Sequence, residues 1–360
     1  MNKFKSVLKM IGIAVGALLM LFAAYFIYLF VSYERIEDRL NVGINAPLSG
    51  SNLNVAKKGT EYTITTFNIG FGAYSKDFDF FMDGGKKSWA ESKESVRELT
   101  EGAADCINRL EPDIALFQEV DFDSTRSYHV NQVKMLGNAF PDYNYTFALN
   151  YNSPFLLYPL YQPHGASKAG LVSMSTFAIK ECIRRSLPIS ESVKKIIDLD
   201  RAYTVNRIPA ENGKELVVIN IHMSAYGSDE NVRSGQTGML RDEIEAEYQK
   251  GNYVIVGGDF NHDLKLKEDK PAVFWAHFYD RNLLPEHFSF AIDSFSDVDL
   301  QEMENTCRDS GVPYDPETTY TVTVDGFIIS DNIEITDYEN LQTGYEYSDH
   351  NPVVMKFKLK

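Results

Sequence analysis

The first apolar stretch of the chain has no period. Residues 10–33 carry no charge and are dominated by Ile, Leu, Ala, Val and Phe. That is long enough to cross about 30 Å of hydrocarbon, which takes about 20 residues. A core helix would be shorter and striped. A cleaved signal peptide would end at a small-residue site, whereas this run continues through Phe26, Ile27, Tyr28, Leu29 and Phe30. The pattern predicts an uncleaved membrane helix with Tyr25, Tyr28 and Tyr33 in the outer aromatic belt. Lys3, Lys5 and Lys9 precede it, while Glu34, Glu37 and Asp38 offset Arg35 and Arg39 behind it. Lysine on the leading flank predicts residues 1–9 in the cytoplasm and the rest of the chain outside it. Residues 34–59, polar and broken by Gly43, Pro47 and Gly50, predict a juxtamembrane linker.

From residue 60 onward two periods take turns. Residues 62–68 alternate like a strand. Val96, Leu99, Ala103, Ile107 and Leu110 then recur every three or four positions, which predicts an amphipathic helix over 88–110 that Pro112 stops. Residues 113–120 read as a buried strand. Further strands are predicted at 143–148, 171–177, 202–208, 216–222, 254–258, 324–330 and 353–359, with a polar helix at 231–250. Strand, helix and strand within some fifty residues point to layers of sheet and helix, an α/β (α+β) domain over 60–360. The run 151–161 is aromatic, uncharged and holds Pro154 and Pro159. Two prolines suit a loop better than a strand, packed against the domain or lying near the site mouth or the bilayer.

Candidate chemistry collects where the strands stop. Val254-Ile255-Val256 leads through Gly257 and Gly258 to Asp259 and Asn261, two positions apart and so on one side of an extended chain. The glycines suit a close approach or a sharp turn. Asn68, Glu119, His222, Asp325, Asp349 and His350 close other strands. Hard oxygen donors such as Glu119, Asn68 and Asp349 suit magnesium or manganese, and Asp259 suits a base for water. Net charge is −16, which argues against an extended basic face for nucleic acid and leaves room for a local basic groove. Cys106, Cys182 and Cys307 are too few and too scattered for a disulfide framework or a zinc site.

Six stretches, in order, carry a resemblance: Thr66-Phe67-Asn68-Ile69, Leu116-Phe117-Gln118-Glu119-Val120, Ile219-Asn220-Ile221-His222, Gly257-Gly258-Asp259-Phe260-Asn261, Val324-Asp325-Gly326-Phe327 and Ser348-Asp349-His350-Asn351-Pro352. Together they resemble the endonuclease/exonuclease/phosphatase superfamily. The resemblance implies a four-layer α/β sandwich with its site between the sheets. It also implies Asn68 and Glu119 on a metal, Asp349 at that metal or a second one, and Asp259 orienting or deprotonating water. Asn261, His222 and His350 would contact phosphate, with Asp325 orienting His350. The usual Gly-Asn before the middle strand is Ala169-Gly170 here, and Met223 follows His222 where Leu is common.

Outside the motifs, Arg126 is a candidate phosphate contact, the alternative being a structural loop. His262 stands between site-edge contact and simple capping. His164, His277 and His287 are assigned to surface or structural roles. The expected activity is divalent-metal-dependent hydrolysis of a phosphoester, on a lipid head group or a related small ester. An extracellular nuclease is the runner-up and a catalytically dead binding protein the rival from another class. No protein partner is evident.

Overall fold

Period-two stretches become strands and three-four stretches become helices in the computed structural model. It describes residues 2–48, 55–190, 192–196, 199–224, 230–266 and 275–360. Helix α1 (Asn2–Ser32) is followed by β1 (Glu61–Asn68), α2 (Lys93–Asn108), β2 (Ile114–Ser124), α3 (Gln132–Ala139), β3 (Asn144–Leu156), β4 (Gly165–Ser175), β5 (Glu181–Ser186), β6 (Ala202–Pro209) and β7 (Glu215–His222). Helix α4 (Glu230–Gln249), β8 (Tyr253–Asp259), β9 (Phe288–Phe290), β10 (Asp325–Ser330), β11 (Ile333–Asn340) and β12 (Val353–Leu359) complete the frame.

The strands form two seven-stranded mixed sheets. One runs β11-β12-β1-β2-β4-β3 and ends on Ile44–Asn45; the other begins on Leu40–Asn41 and runs β5-β6-β7-β8-β10-β9. Each contains one parallel pair, β1 with β2 and β7 with β8. A parallel pair needs a long crossover, and α2 and α4 supply it. Helix α2 is capped by Ser92, whose side chain accepts from the Ser95 N–H, a bond worth about 1 kcal/mol. It buries Val96, Ala103 and Ile107, the stripe seen in the sequence.

Between the sheets lies one apolar core to which Ile64, Leu116, Val218, Ile255 and Phe357 contribute. The two glycines of β8 have separate reasons. A Cβ on Gly257 would stand 2.8 Å from Leu116 of the facing sheet, and one on Gly258, at φ +150°, would stand 2.0 Å from the Ile221 carbonyl oxygen. Strand β8 therefore approaches both neighbours too closely for side chains at these positions.

Three stretches differ from expectation. The linker predicted at 34–59 lies along the domain over much of its length. Leu40–Asn41 pairs with β5, Ile44–Asn45 pairs with β3, and Arg35 donates to the Leu187 carbonyl at 2.6 Å. Each edge is only two residues long and exposed, which leaves little template for pairing with another chain. The 151–161 loop is in its first half a strand, since β3 reaches Leu156. Pro154 is tolerated there because the register slips between Ser153 and Leu156. Strand β5 had no apolar run to announce it. Its Arg184 is fully buried and donates to the carbonyls of Leu149, Glu37 and Asp200.

Helix α1 contains 29 residues, Phe4–Ser32, that are long and apolar enough for a membrane span, a test that a signal sequence also passes.

Candidate active site

Both parallel pairs end on the same side of the sandwich, and that is where the motif residues meet. Asn68 ends β1, His222 ends β7 and Asp259 ends β8, with Asp259 directly beside His222. Asp325 opens β10 opposite Asp259. Glu119 sits at a break in the pairing of β2 with β4, at φ +53°. The break turns its side chain out of the regular alternation, half-buried toward Asn68.

The centre is a buried chain of hydrogen bonds. The Asn68 amide donates to Asp259 at 3.1 Å and to Glu119 at 3.3 Å, and lies 3.4 Å from His350 Nε2. The other ring nitrogen of His350 is 2.8 Å from Asp325. Asp325 is held in turn by its backbone N–H, which donates to the Thr306 hydroxyl at 3.1 Å. His222 Nε2 stands 3.4 Å from Asp259 and accepts from Arg201 at 2.6 Å.

The two histidines are driven to different charge states. Burial, then Arg201 and His350, hold His222 well below the ordinary imidazole range. Burial also opposes charge on His350, but Asp325, Cys307 and Asp349 outweigh it and hold that ring well above the range. Burial and the neighbouring Asp325 raise the Asp259 carboxyl. Asp349 is pushed up to about 6 by burial, with Glu119 and Asp83 adding to the shift against His350 and Arg308. A buried site that crowds carboxylates until they resist ionising is short of positive charge.

That shortage, together with the donor set, fits a divalent cation. Asp259, Asp325 and His350 offer ligand atoms within 4.8 Å of one another, although Asp325 and His350 already bond to each other. Two of the oxygens expected on the metal, those of Asn68 and Asp349, lie around Gly70. The Gly70 N–H donates to Asn68 Oδ1 at 3.0 Å, and a Cβ at Gly70 would stand 2.9 Å from Asp349 Oδ1. At φ +50° a Cβ there would also stand 2.4 Å from the Tyr74 ring, so glycine lets that ring and the Asp349 carboxylate pack directly on the turn that follows Asn68.

Asn261, at φ +51°, sends one amide N–H to the Met223 carbonyl at 3.0 Å and is fixed by its own N–H to Asp259 at 2.8 Å. His262 is buried beside it, with Nδ1 2.6 Å from the Phe260 carbonyl and its ring against Tyr279. Burial lowers its pKa to about 4.

Arg126 departs from the phosphate-contact expectation. Its Nε and Nη2 fork onto Asp121 at 3.2 and 2.9 Å, its guanidinium stacks 3.8 Å over Phe71, and it is buried. Asp121 alternates inward on β2 and needs a counter-charge, so the fork is already occupied. Arg201 is the site residue that sequence reasoning missed. It precedes β6 at the position facing the end of β7, and donates to both His222 and the Met223 carbonyl. No motif surrounds it; only the pairing of Ala202 with His222 brings it in.

A family profile described as the endonuclease/exonuclease/phosphatase family matches residues 65–320. No curated protein matches the chain. Among solved structures, an endonuclease/exonuclease/phosphatase from Beutenbergia cavernae DSM 12333 superposes with a TM-score of 0.57 at 18% identity, covering 83% of this chain and 72% of that one. The human Nocturnin catalytic domain with bound sulfate gives 0.53 at 17%, covering 89% and 98%. D. rerio TDP2 complexed with a single-strand DNA product gives 0.54 at 13%, covering 83% and 99%. At these identities the likeness speaks to the fold, while the profile spans most of the chain. The chain belongs to the endonuclease/exonuclease/phosphatase family.

Proposed function

We propose that the chain is a membrane-anchored phosphoester hydrolase dependent on magnesium or manganese, acting outside the cytoplasm on a lipid head group or a related small ester. The observation that carries the hydrolase reading is that two buried histidines flank one buried acid, with His222 Nε2 at 3.4 Å and His350 Nε2 at 3.9 Å from Asp259, the first ring favoured neutral and the second protonated. A protonated His350 is an electrostatic clamp for a phosphate oxygen. A neutral His222, whose Nε2 accepts from Arg201, keeps its proton on Nδ1, unpartnered among the described residues, to donate to another. Asp259, its carboxyl raised and 3.1 Å from the Asn68 amide, is placed to take a proton from water. In the reaction a P–O bond to the water oxygen forms and the P–O bond to the leaving group breaks. The water proton passes to Asp259, and the leaving oxygen is protonated from solvent.

Asn68, Glu119 and Asp349 would hold the metal, which supplies charge neutralisation at a phosphate oxygen. Asn261 keeps one amide N–H beyond its bond to Met223 for the same phosphate. Lysine ahead of the apolar run of α1 and the tether itself favour an external lipid ester, by placing the site beside a surface dense in them.

The full chain in detergent should hydrolyse bis-p-nitrophenyl phosphate with magnesium or manganese, and lose that activity in chelator and as Asp259→Ala. Equal turnover in chelator would overturn the metal reading. Plasmid nicking with no turnover of lipid esters would replace the lipid substrate with nucleic acid. Cleavage of the domain by protease added to intact cells would support the external topology, and full protection would reverse it.

A further inference from the structure

The end of the sandwich that carries the site also carries, among the described residues, the longest run of exposed apolar side chains outside α1. Beyond β3 the chain continues as Leu157-Tyr158-Pro159-Leu160-Tyr161 before turning back toward β4. Phe155, Leu157, Tyr158, Leu160 and Tyr161 are 41%, 39%, 71%, 82% and 70% exposed. No charge falls between Phe155 and Tyr161. A patch of this kind on a soluble surface marks an interaction site.

What covers it is indicated by α1. The Tyr25 hydroxyl donates to the Phe155 carbonyl at 3.3 Å and accepts from the Leu157 N–H at 2.8 Å, and the Tyr28 hydroxyl accepts from the Phe155 N–H at 3.0 Å. Leu29 packs with Leu156 and Ile196. Counted from Met10, the first residue beyond Lys9, a hydrocarbon core about 30 Å thick takes about 20 residues and ends near Leu29. Tyr25 lies four residues short of that point, about 6 Å inside it. The hairpin is therefore fixed to the helix at the depth of the outer membrane boundary. The tyrosine hydroxyls satisfy backbone groups that lipid could not, and tyrosine rings favour that depth.

The residue that follows α1 ties it to the catalytic end a second time. Tyr33 donates to Asp200 at 3.1 Å, one residue before Arg201, which bonds His222. On the other sheet β3 and β4 extend past the level of Glu119 to the hairpin tip, where Gly165 meets Thr125.

From these contacts we infer that the hairpin 155–161 is a membrane-seating wedge that holds the catalytic end of the domain against the outer face of the bilayer, so that the site takes its phosphoester from lipid head groups of that same membrane. This rests on the anchor and hydrolase readings above.

The test uses the full chain in phosphatidylcholine–phosphatidylglycerol vesicles, in a Cys106→Ser background. Cys182 and Cys307 are buried, with thiols pushed up to about 12, and stay unlabelled. Nitroxides are placed through Leu160→Cys on the wedge, Leu18→Cys on α1 and Lys180→Cys before β5. The label at 160 should show collision with oxygen and shielding from a nickel chelate, intermediate between the lipid-buried 18 and the aqueous 180. A label at 160 as aqueous as that at 180, with 18 buried, would overturn the wedge and leave the anchor standing. An aqueous label at 18 would overturn both.

In a second arm, Tyr158→Glu/Leu160→Glu should lower turnover of vesicle phospholipid at least tenfold and leave bis-p-nitrophenyl phosphate turnover unchanged. Equal loss on both esters, or none on lipid, would refute the seating. An unmodified protein that hydrolyses the soluble ester but no vesicle lipid would refute the substrate while sparing the hydrolase reading.

Discussion

Strands β6 and β7 run side by side, and their two ends treat buried charge in opposite ways. At the far end Arg207 donates to Glu247 through two nitrogens at 2.9 and 2.7 Å, to Glu215 at 2.9 Å and to Glu181 at 3.2 Å. Glu247 also accepts from Lys250 at 2.6 Å and Asn252 at 2.9 Å. At the catalytic end Asp259 crowds against Asp325 while Asp349 faces Glu119 and Asp83, and Asp325 Oδ1 and His222 Nδ1 have no hydrogen-bond partner among the described residues. One end is satisfied and holds the sheet; the other is under-compensated and gains its complement from what binds there. Substitutions at the two ends should separate stability from activity.

The largest effect belongs to the catalytic end. Asp259→Asn keeps the shape and the bond to Asn261 but removes the base, and loss of a positioned base costs on the order of 10²–10⁴ in rate. A drop in kcat of about 10³, with the melting temperature of the metal-free protein unchanged or higher, is the expected pair of results. Stability rises because one of several crowded like charges disappears. A lower melting temperature with modest loss of kcat would place Asp259 with the structural charges instead.

Arg126 and Asp121 form a satisfied pair close to the site and so probe where the boundary runs. Both are buried, and removing one partner strands the other, at a cost of about 3–4 kcal/mol. Arg126→Leu should lower the urea midpoint accordingly while kcat/KM on the soluble ester, measured where the variant is folded, stays within about threefold. A large rise in KM with unchanged stability would restore the phosphate-contact role.

How much of this was legible beforehand follows from the same division. Strands and helices with a regular apolar period were visible because one face of each meets the core, as with Val96, Ala103 and Ile107. The site acids and histidines were visible because their chemistry is confined to strand ends. Arg201 was not, because its role arises from the register of β6 on β7. Nor was the role of Arg126, which depends on Asp121 facing inward after a break in pairing at Glu119. Strand β5 escaped because its buried Arg184 is solvated by carbonyls from three distant segments. A linear pattern records which side of an element is apolar; it does not record who sits opposite a buried charge.

At the far end Glu247→Gln should cost stability and spare activity. Burial works against the carboxylate, yet Arg207, Lys250 and Asn252 together lower its pKa from 4.5 to about 2. That shift corresponds to about 3 kcal/mol. A depressed carboxyl stabilises the fold above its unfolded pKa and loses that contribution as pH falls through the folded one. The gap between the parent and Glu247→Gln should therefore be full above pH 5 or so and close between about 4.5 and 2. A gap independent of pH would mean that shape rather than charge holds Glu247.

The smallest effect sits on the same loop as Arg126. His129 Nδ1 is 2.6 Å from Asp123, a shorter contact than either limb of the Arg126 fork, but the side chains are 65% and 52% exposed. Water solvates both partners as well when apart as together, salt screens what attraction remains, and holding the ring in place costs rotamer freedom. His129→Ala should change stability by less than about 0.5 kcal/mol, and raising the salt concentration should shrink even that difference. The two pairs lie within nine residues of each other, each joining the end of β2 to the loop that follows it, so the contrast between them isolates burial as the variable. Comparable losses for His129→Ala and Arg126→Leu would show that the loop, rather than the buried charge within it, sets the stability of the catalytic end.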